Sequence, residues 1–420
     1  MSEDSPLPTV GVAGENEVNS GRNEWKILWM MREQDVETIL SGESGEPIRL
    51  RFMLPGMKRA AHASNILTAR IPGHCGLRGS ESTIIGDIYC VGRDIEKVKK
   101  TIPRIVKSVK ADAIAKNLIP ADFSMLESCV AKSDLIFESS KEDIAVKKEI
   151  ATQVAKTLQP HAVSCTGSSG LSITEIANCY PDGLKEHFFG VHMFNPPYSM
   201  LLCELTPTAF SDKAMQVELK EYLSKKLIRT VVEVKDSPAF LGNRIGFQFI
   251  NEALRYAERF KDNGGIDYID AILGSFTGRS MAPLVTADFV GLDVHKAIVD
   301  NIYENTHDYA HDTFILPNFV QKLIDEKKLG RKSGGGLYQR VKYENGLIRQ
   351  TVLDINTGLY RDVIPYVFPF ADKMKKYFAE GDYQKAFERL VNNHSLEAEI
   401  CRYFLLDYIV YSLYATKEVG

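Results

Sequence analysis

The chain has 420 residues, of which 44% are hydrophobic and 25% charged, and its net charge is −4. This composition is typical of a globular protein with two or three domains, and it argues against a nucleic-acid-binding protein. No apolar run reaches the ~18–20 residues of a membrane span, so no membrane contact is expected. Residues 1–24 contain several acidic residues and no apolar core, which is unlike a signal or transit peptide. The seven cysteines include no C-x-x-C pair, which predicts reduced thiols, a cytoplasmic location and no metal site.

In chain order, residues 1–62 are expected to be an N-terminal extension, disordered over residues 1–24 and compatible with a helix over residues 25–40. Strand and helix patterns then alternate over residues 63–235. The predicted strands are 66–71, 87–91, 134–138, 162–165, 188–194, 199–205 and 230–234, and the predicted helices begin at Asp94 or span 143–158, 172–179 and 213–226. This alternation predicts an α/β domain with a Rossmann-like parallel sheet covered by helices.

After Asp236 the pattern becomes helical, with predicted helices over residues 240–260, 266–273 and 286–303 and no strand before Leu337. The sequence therefore predicts a dinucleotide-binding domain at 63–235, an all-α helical domain at 236–345 and a C-terminal helical segment at 346–420.

Three glycines, Gly73, Gly76 and Gly79, follow the first predicted strand at three-residue spacing. Glycines at such a turn let the backbone approach a pyrophosphate at a helix N-terminus, which indicates a dinucleotide site. One feature opposes this interpretation, because only residues 80–86 separate Gly79 from the next strand. A parallel crossover normally needs a dozen or more residues.

The end of the second predicted strand usually carries an acid that binds the ribose 2′-hydroxyl, but here Gly92 occupies that place and Arg93 follows. An arginine tolerates a 2′-phosphate, so NADP is expected to be accepted at least as readily as NAD. The alternative is that Arg93 is an ordinary surface charge.

The segment FFGVHMFNPPYSMLLCE contains two apolar runs on either side of an Asn195-Pro196-Pro197 turn. Two strands that fold back here would bring His192 and Glu204 together. A carboxylate on one imidazole nitrogen fixes the tautomer and stabilises the imidazolium, so that the other nitrogen can act as a general base. The alternative is a buried structural histidine with a glutamate at a strand end.

Taken in order, these motifs resemble the 3-hydroxyacyl-CoA dehydrogenase family. The resemblance runs from Asn65 to the C-terminus and is strongest from Asp134 onward. The segments that carry it are SSGLSIT, GVHMFNPPYSMLLCEL, DSPAFLGNRI, PLVTADFVGLD and GRKSGGGLY.

The resemblance implies a role for each matched residue. His192 would take the proton of the 3-hydroxyl group while hydride leaves C3, and Glu204 would orient the imidazole and balance its charge. Ser169 would hydrogen-bond the substrate oxygen. Asn243 would hold the thioester-side carbonyl or the histidine.

Glu142 and Lys147 match the family's cofactor-side acid and lysine, although both also fit an ordinary charged helix start. The resemblance further implies an acyl-CoA substrate, NAD or NADP as cofactor, and a homodimer through the helical domain. Leu396 to Gly420 resembles the first helix of a second helical repeat and carries a broad apolar face that includes Ile400, Phe404 and Leu413.

Two rival hypotheses remain at this point. In the first, the protein has kept the fold and the acyl-CoA cleft but binds the dinucleotide poorly, which the short glycine-loop crossover favours. It would otherwise be another hydroxyacid dehydrogenase, but such enzymes usually use a lysine at the domain junction, where Asn243-Arg244 stands here.

Overall fold

The computed structural model describes residues 66–69, 88–109, 117–194, 200–227, 229–274, 281–342, 346 and 348–420. The chain divides into two compact units, the first ending at Asp236 and the second beginning at Ser237. The predicted domain boundary lies one residue before this division. The glycines at 73, 76 and 79 and the predicted helix over residues 25–40 lie outside the described residues.

The described part of the first unit is an α/β structure, which confirms the predicted fold class. Its elements are β1 (Ile66–Ala69), β2 (Ile88–Gly92), α1 (Ile95–Val109), β3 (Leu118–Asp122), α2 (Leu126–Val130), β4 (Leu135–Glu138), α3 (Ile144–Ala155), β5 (Val163–Thr166), α4 (Ile173–Ala177), β6 (Phe188–Met193), β7 (Leu202–Thr206), α5 (Lys213–Glu221) and β8 (Thr230–Glu233). A π-helical turn, Tyr222–Lys226, extends α5 to the predicted end of that helix.

The strands form one eight-stranded sheet in the order β3-β2-β1-β4-β5-β6-β7-β8. Strands β4, β5 and β6 are mutually parallel, and β2 is parallel to β3. Strand β7 runs antiparallel to β6, and β8 is parallel to β7. The sheet is therefore parallel over most of its width, with a reversed edge formed by β7 and β8.

The prediction that the first strand starts a parallel βαβ unit is wrong in the structure. Strand β1 runs antiparallel to both neighbours, so that Ala69 pairs with Ile88 and with Leu135. Antiparallel neighbours can be joined without a crossover helix, whereas parallel neighbours need one. The carboxyl end of β1 consequently lies at the edge of the sheet where β2 and β4 begin.

Alternating side chains along the central strands point to opposite faces of the sheet. One face is apolar, and Phe189 and Val191 of β6 pack there with Leu205 of β7 and with α1 and α5. His192 of β6 and Glu204 of β7 occupy the intervening positions and therefore point to the other face. The pleat thus separates a hydrophobic core on one side from buried polar groups on the other.

The second unit is mainly helical, as predicted. Its elements are α6 (Gly242–Arg259), α7 (Ile266–Leu273), α8 (Pro283–Val290), α9 (Leu292–Asn305), α10 (Asn318–Asp325), β9 (Tyr338–Lys342), β10 (Ile348–Leu353), β11 (Tyr360–Asp362), α11 (Pro369–Ala379), α12 (Tyr383–Val391) and α13 (Leu396–Val419). The single helix predicted over residues 286–303 is wrong, because α8 and α9 are separate helices that meet at Gly291. The φ of Gly291 is +100°, which no helix interior accommodates.

The C-terminal segment shares the hydrophobic core of the second unit. Phe249 of α6 and Ile269 of α7 lie in one buried cluster with Met374 of α11 and Phe404 of α13. The GRKSGGGLY segment is fastened to α8, since Asp288 accepts hydrogen bonds from the backbone N–H groups of Leu337 and Tyr338. Residues 346–420 therefore complete the helical unit within the described structure.

None of the helices that the structure describes has the length and apolar character needed to cross a lipid bilayer.

Candidate functional site

The His192–Glu204 pair lies at the reversed edge of the sheet. Strands β6 and β7 pair in a register that sets His192 directly opposite Glu204. The histidine Nδ1 lies 2.6 Å from a carboxylate oxygen of Glu204. The two residues are 3% and 1% exposed. With Nδ1 committed to the carboxylate, Nε2 is the nitrogen that can exchange a proton with a substrate.

The dyad is reinforced by its neighbours. The ring of Phe194 packs 4.6 Å from the imidazole, measured between centroids. Cys203 directly precedes Glu204 in β7 and points to the apolar face of the sheet. Burial raises the pKa of its thiol to about 12. This thiol therefore stays protonated and is unsuited to act as a nucleophile.

A second group of buried polar side chains lies where β4 and β5 end. The ammonium group of Lys147 is 3.0 and 3.1 Å from the two carboxylate oxygens of Glu138, at the end of β4. It also lies 3.6 Å from Glu142. The hydroxyl of Thr166, at the end of β5, donates to Glu138 at 2.6 Å. Because Lys147 is only 1% exposed, this ion pair is part of the domain interior.

Glu142 connects that ion pair to the serine turn. One carboxylate oxygen of Glu142 accepts hydrogen bonds from the Ser168 hydroxyl at 2.6 Å and from the Ser169 backbone N–H at 2.8 Å. Ser168 also accepts a hydrogen bond from the N–H of Leu171. The structure therefore places Glu142, Lys147 and Ser169 in one polar cluster, with Glu142 holding the turn that presents Ser169.

Asp236 is a residue of this region that the sequence reasoning used only as a boundary marker. Its carboxylate accepts hydrogen bonds from the backbone N–H groups of Ile173 and Thr174 and from the hydroxyl of Ser172, at the start of α4. It thus caps the helix that follows the serine turn. In the sequence, this arrangement is signalled by the helix-capping residue Ser172 alone. A capping serine does not indicate a partner as distant in the sequence as Asp236.

Arg93 and Asn243 lie apart from these clusters in the sequence. Arg93 is exposed and directly follows β2, whose carboxyl end lies at the same edge of the sheet as those of β4 and β5. Asn243 is half-buried in the first turn of α6, in the second unit. Just before that helix, Ala239 and Phe240 have φ values of +60° and +50°, which are strained for residues with side chains.

The described residues fit a dinucleotide in part. The carboxyl ends of β2, β4 and β5 meet at one edge, which is where open α/β sheets bind such ligands. Glu142, whose side chain is 41% exposed, and Arg93 are polar groups available there. The reversal of β1, however, takes its carboxyl end to the opposite edge, away from those strand ends.

A largely parallel sheet with a buried histidine–glutamate dyad, followed by a helical unit, defines a two-domain dehydrogenase architecture. Residues 90–237 match the model of the 3-hydroxyacyl-CoA dehydrogenase NAD-binding domain, and residues 240–340 match that of the family's C-terminal domain. The chain belongs to the 3-hydroxyacyl-CoA dehydrogenase family. NAD(H) is accordingly the cofactor that the first domain supports, and the matched range begins after the glycine segment 73–79.

Relatives and solved structures agree with this assignment. The chain is 31% identical over 258 residues to the mitochondrial hydroxyacyl-coenzyme A dehydrogenase of Homo sapiens, covering 58% of this chain and 80% of the relative. It is 30% identical over 210 residues to a probable 3-hydroxyacyl-CoA dehydrogenase of Bacillus subtilis, covering 50% of this chain and only 26% of that protein. The crystal structure of FadB2 from M. tuberculosis superposes with a TM-score of 0.53 at 25% identity, over 59% of this chain and 88% of that one.

Proposed function

We propose that this protein reversibly oxidises a 3-hydroxyacyl-CoA to the 3-oxoacyl-CoA, with NAD(H) as the redox partner. The observation that carries the proposal is the buried His192–Glu204 dyad with its 2.6 Å contact. The names of the relatives and the family match support the substrate class.

In the oxidative direction, Nε2 of His192 takes the proton of the substrate's 3-hydroxyl group as its C3–H bond breaks and C3–O becomes a carbonyl. Arg93, Glu142 and Lys147 would hold NAD⁺, which would supply the acceptor for the hydride that leaves C3. Glu204 holds the imidazole in the tautomer with hydrogen on Nδ1 and stabilises the imidazolium that forms. In reduction, His192 returns the proton to the developing alkoxide.

Four further residues have roles in this proposal. Ser169 hydrogen-bonds the substrate oxygen, and Asn243 holds the thioester-side carbonyl or the histidine. Glu142 supports Ser169 by accepting its backbone N–H, so it acts on the substrate side as well as on the cofactor side. Lys147 contributes to the cofactor side by fixing the position of Glu142 and Glu138.

A second candidate function is an acyl-CoA-binding homologue that binds the dinucleotide poorly. The reversed β1 favours it, because the predicted phosphate loop at Gly73, Gly76 and Gly79 then follows a strand that ends at the wrong edge of the sheet. This candidate keeps the dyad and the substrate cleft but loses turnover.

The test is oxidation of NADH and of NADPH, in parallel, when acetoacetyl-CoA is added to the purified full chain, with His192→Gln as the control. Consumption that disappears in His192→Gln supports the dehydrogenase. Wild-type consumption by His192→Gln refutes the assigned base. Acetoacetyl-CoA binding in calorimetry without any consumption of either cofactor favours the second candidate.

Three finer features belong to the proposal. Acceptance of NADP is proposed from Arg93, and equal loss of affinity for both cofactors in Arg93→Ala would contradict it. A homodimer through the helical unit is proposed from the family resemblance. A cytoplasmic location is proposed from the cysteines, since the six that the structure describes are all free thiols. No membrane or nucleic-acid partner is included in the proposal.

A further inference from the structure

A cavity of about 480 Å³ lies between helices α11 and α12 of the second unit and is here called the α11–α12 cavity. Phe370, Lys373 and Tyr377 line it from α11, and Lys385 and Arg389 line it from α12. The two helices pack against each other and are joined by residues 380–382 alone, so they run antiparallel. Lys373 and Arg389 are equally far in sequence from the middle of that connection, and they therefore lie at the same level of the hairpin.

The lining of this cavity is rich in hydrogen-bond donors that have no acceptor. Among the residues that the structure describes, Lys373, Arg389 and the Tyr377 hydroxyl make no ion pair and no side-chain hydrogen bond. Asn393 also lines the cavity, and its side-chain oxygen accepts the backbone N–H of Ser395 at 2.9 Å, which leaves its NH₂ group as a further donor. These donor groups of the lining thus remain for a bound ligand that offers acceptors.

The charges of the lining do not cancel. Lys385 pairs with Asp382 at 2.6 Å, whereas Glu388, the carboxylate of the lining, accepts a hydrogen bond from the Gln384 amide at 3.0 Å. Three cations against one carboxylate give the lining a net charge of +2, and counting Asp382 as well leaves +1. The cavity therefore attracts an anion although Glu388 repels one, and the two contributions can be tested separately.

A phosphate monoester has the properties that this lining requires. It carries a charge of about −1.5 to −2 at pH 7 and three acceptor oxygens. A guanidinium group such as that of Arg389 binds phosphate through two parallel hydrogen bonds. The volume of about 480 Å³ equals that of roughly sixteen water molecules at about 30 Å³ each, which is more than a phosphate group fills. The remaining space borders Phe370, which is 4% exposed and belongs to the hydrophobic core, so an apolar group suits it.

We propose that the α11–α12 cavity binds a small phosphate monoester, with the phosphate group between Lys373 and Arg389 and the organic group against Phe370. The residues that line the cavity lie between positions 369 and 393, beyond the range 240–340 that matches the family's C-terminal domain. This site is independent of the dehydrogenase activity and of the dinucleotide site of the first unit, so each can fail without the other.

The first experiment measures the binding of phenyl phosphate to the full-length protein by titration calorimetry. Arg389→Gln should weaken binding by about 10-fold, because it removes a charged hydrogen-bond donor at a site open to solvent. Glu388→Gln should strengthen binding by about 3-fold, because it removes the repelling charge of the lining. The matched control is Lys376→Gln on the same helix α11, a 74%-exposed side chain outside the lining, which should leave the Kd unchanged. Inorganic phosphate should bind the wild type more weakly than phenyl phosphate, since it lacks the apolar group.

The second experiment locates the bound phosphate. Lysine side chains of the full-length protein are acetylated by an N-hydroxysuccinimide ester of acetic acid, and the rate at each lysine is followed by mass spectrometry. Saturating phenyl phosphate should slow the acetylation of Lys373 at least threefold and leave that of Lys376 unchanged. Added salt should reduce this protection, because charges open to solvent are screened. Phosphate bound in the first unit would change neither rate.

Four results would overturn the proposal. The first is a wild type that shows no saturable binding of phenyl phosphate up to about 10 mM, including the case in which vesicles of an anionic phospholipid bind instead. The second is binding that Arg389→Gln leaves intact, or Lys373 acetylation that phenyl phosphate does not slow, because the phosphate would then lie elsewhere. The third is weaker binding by Glu388→Gln, which would contradict the charge argument. The fourth is inorganic phosphate binding as tightly as phenyl phosphate, which would leave the organic group without a place.

Discussion

Replacing Glu204 with glutamine tests the dyad with the smallest change of shape. The substitution keeps the length of the side chain and removes its charge, while the 2.6 Å contact with His192 Nδ1 fixes where the change acts. Both residues are almost fully buried, so water cannot take over the lost interaction. The imidazolium that forms during oxidation then has no buried counter-charge.

The magnitude follows from what the new amide presents to Nδ1. If its oxygen accepts the Nδ1–H bond, the loss is that of a hydrogen bond to a charged group, about 1.5–3 kcal/mol, or roughly 10- to 150-fold in turnover. If its NH₂ group donates instead, hydrogen is forced onto Nε2 and the base has the wrong tautomer. The loss then approaches about 10⁴-fold, the scale seen when an orienting carboxylate is replaced by an amide in serine proteases.

The assay is the pH dependence of kcat and kcat/KM for acetoacetyl-CoA reduction by NADH in Glu204→Gln. The matched control is Glu233→Gln on the neighbouring strand β8, where a 42%-exposed carboxylate contacts Lys220 at the surface. We expect the control to retain its activity within about twofold, because an exposed ion pair contributes little. Turnover of Glu204→Gln within the same twofold, in a protein with unchanged thermal stability, would refute the role assigned to the dyad.

Three further predictions concern stability, each measured by chemical denaturation. Lys147→Met should destabilise the first unit by about 3–5 kcal/mol, because it removes the ammonium group that pairs with the buried carboxylate of Glu138. Lys148→Met, which removes a 38%-exposed ammonium, should cost less than about 1 kcal/mol. Burial raises the pKa of Asp270 from 3.8 to about 7, so the folded state keeps a proton that the unfolded state loses. Stability should therefore fall by up to about 4 kcal/mol as pH rises from about 4 to 7, and an equal pH slope in Asp270→Asn would contradict this. Gly330→Ala should destabilise more than Gly334→Ala, because both have positive φ but only at Gly330 would the new Cβ collide with the Asp288 backbone; equal losses would contradict that argument.

The parts of the fold that the sequence predicts are those with strong local patterns. The strands that carry His192 and Glu204 follow from two apolar runs on either side of Asn195-Pro196-Pro197, and α6 and α7 follow from helical periodicity. Strand β3 escapes prediction because Pro120 interrupts its pattern, and strands β9–β11 because they are short and rich in polar residues. The capping role of Asp236 escapes because its partners, Ile173 and Thr174, are more than sixty residues away in sequence.

The length of the connection between β6 and β7 explains why the dyad forms. Residues 194–201 are too few for a crossover helix, so β7 returns beside β6 in the opposite direction and places Glu204 across from His192. Strand β1 is likewise antiparallel to its neighbour β2, although residues 70–87 between them are numerous enough for a parallel crossover. The antiparallel direction of β1 takes its carboxyl end away from the edge of the sheet where the following glycines were expected to meet a pyrophosphate. A working enzyme must compensate with groups at the carboxyl ends of β2, β4 and β5, among which Arg93 and Glu142 are the exposed charged residues already identified. Cofactor affinity should consequently depend on these side chains more than on the glycine loop.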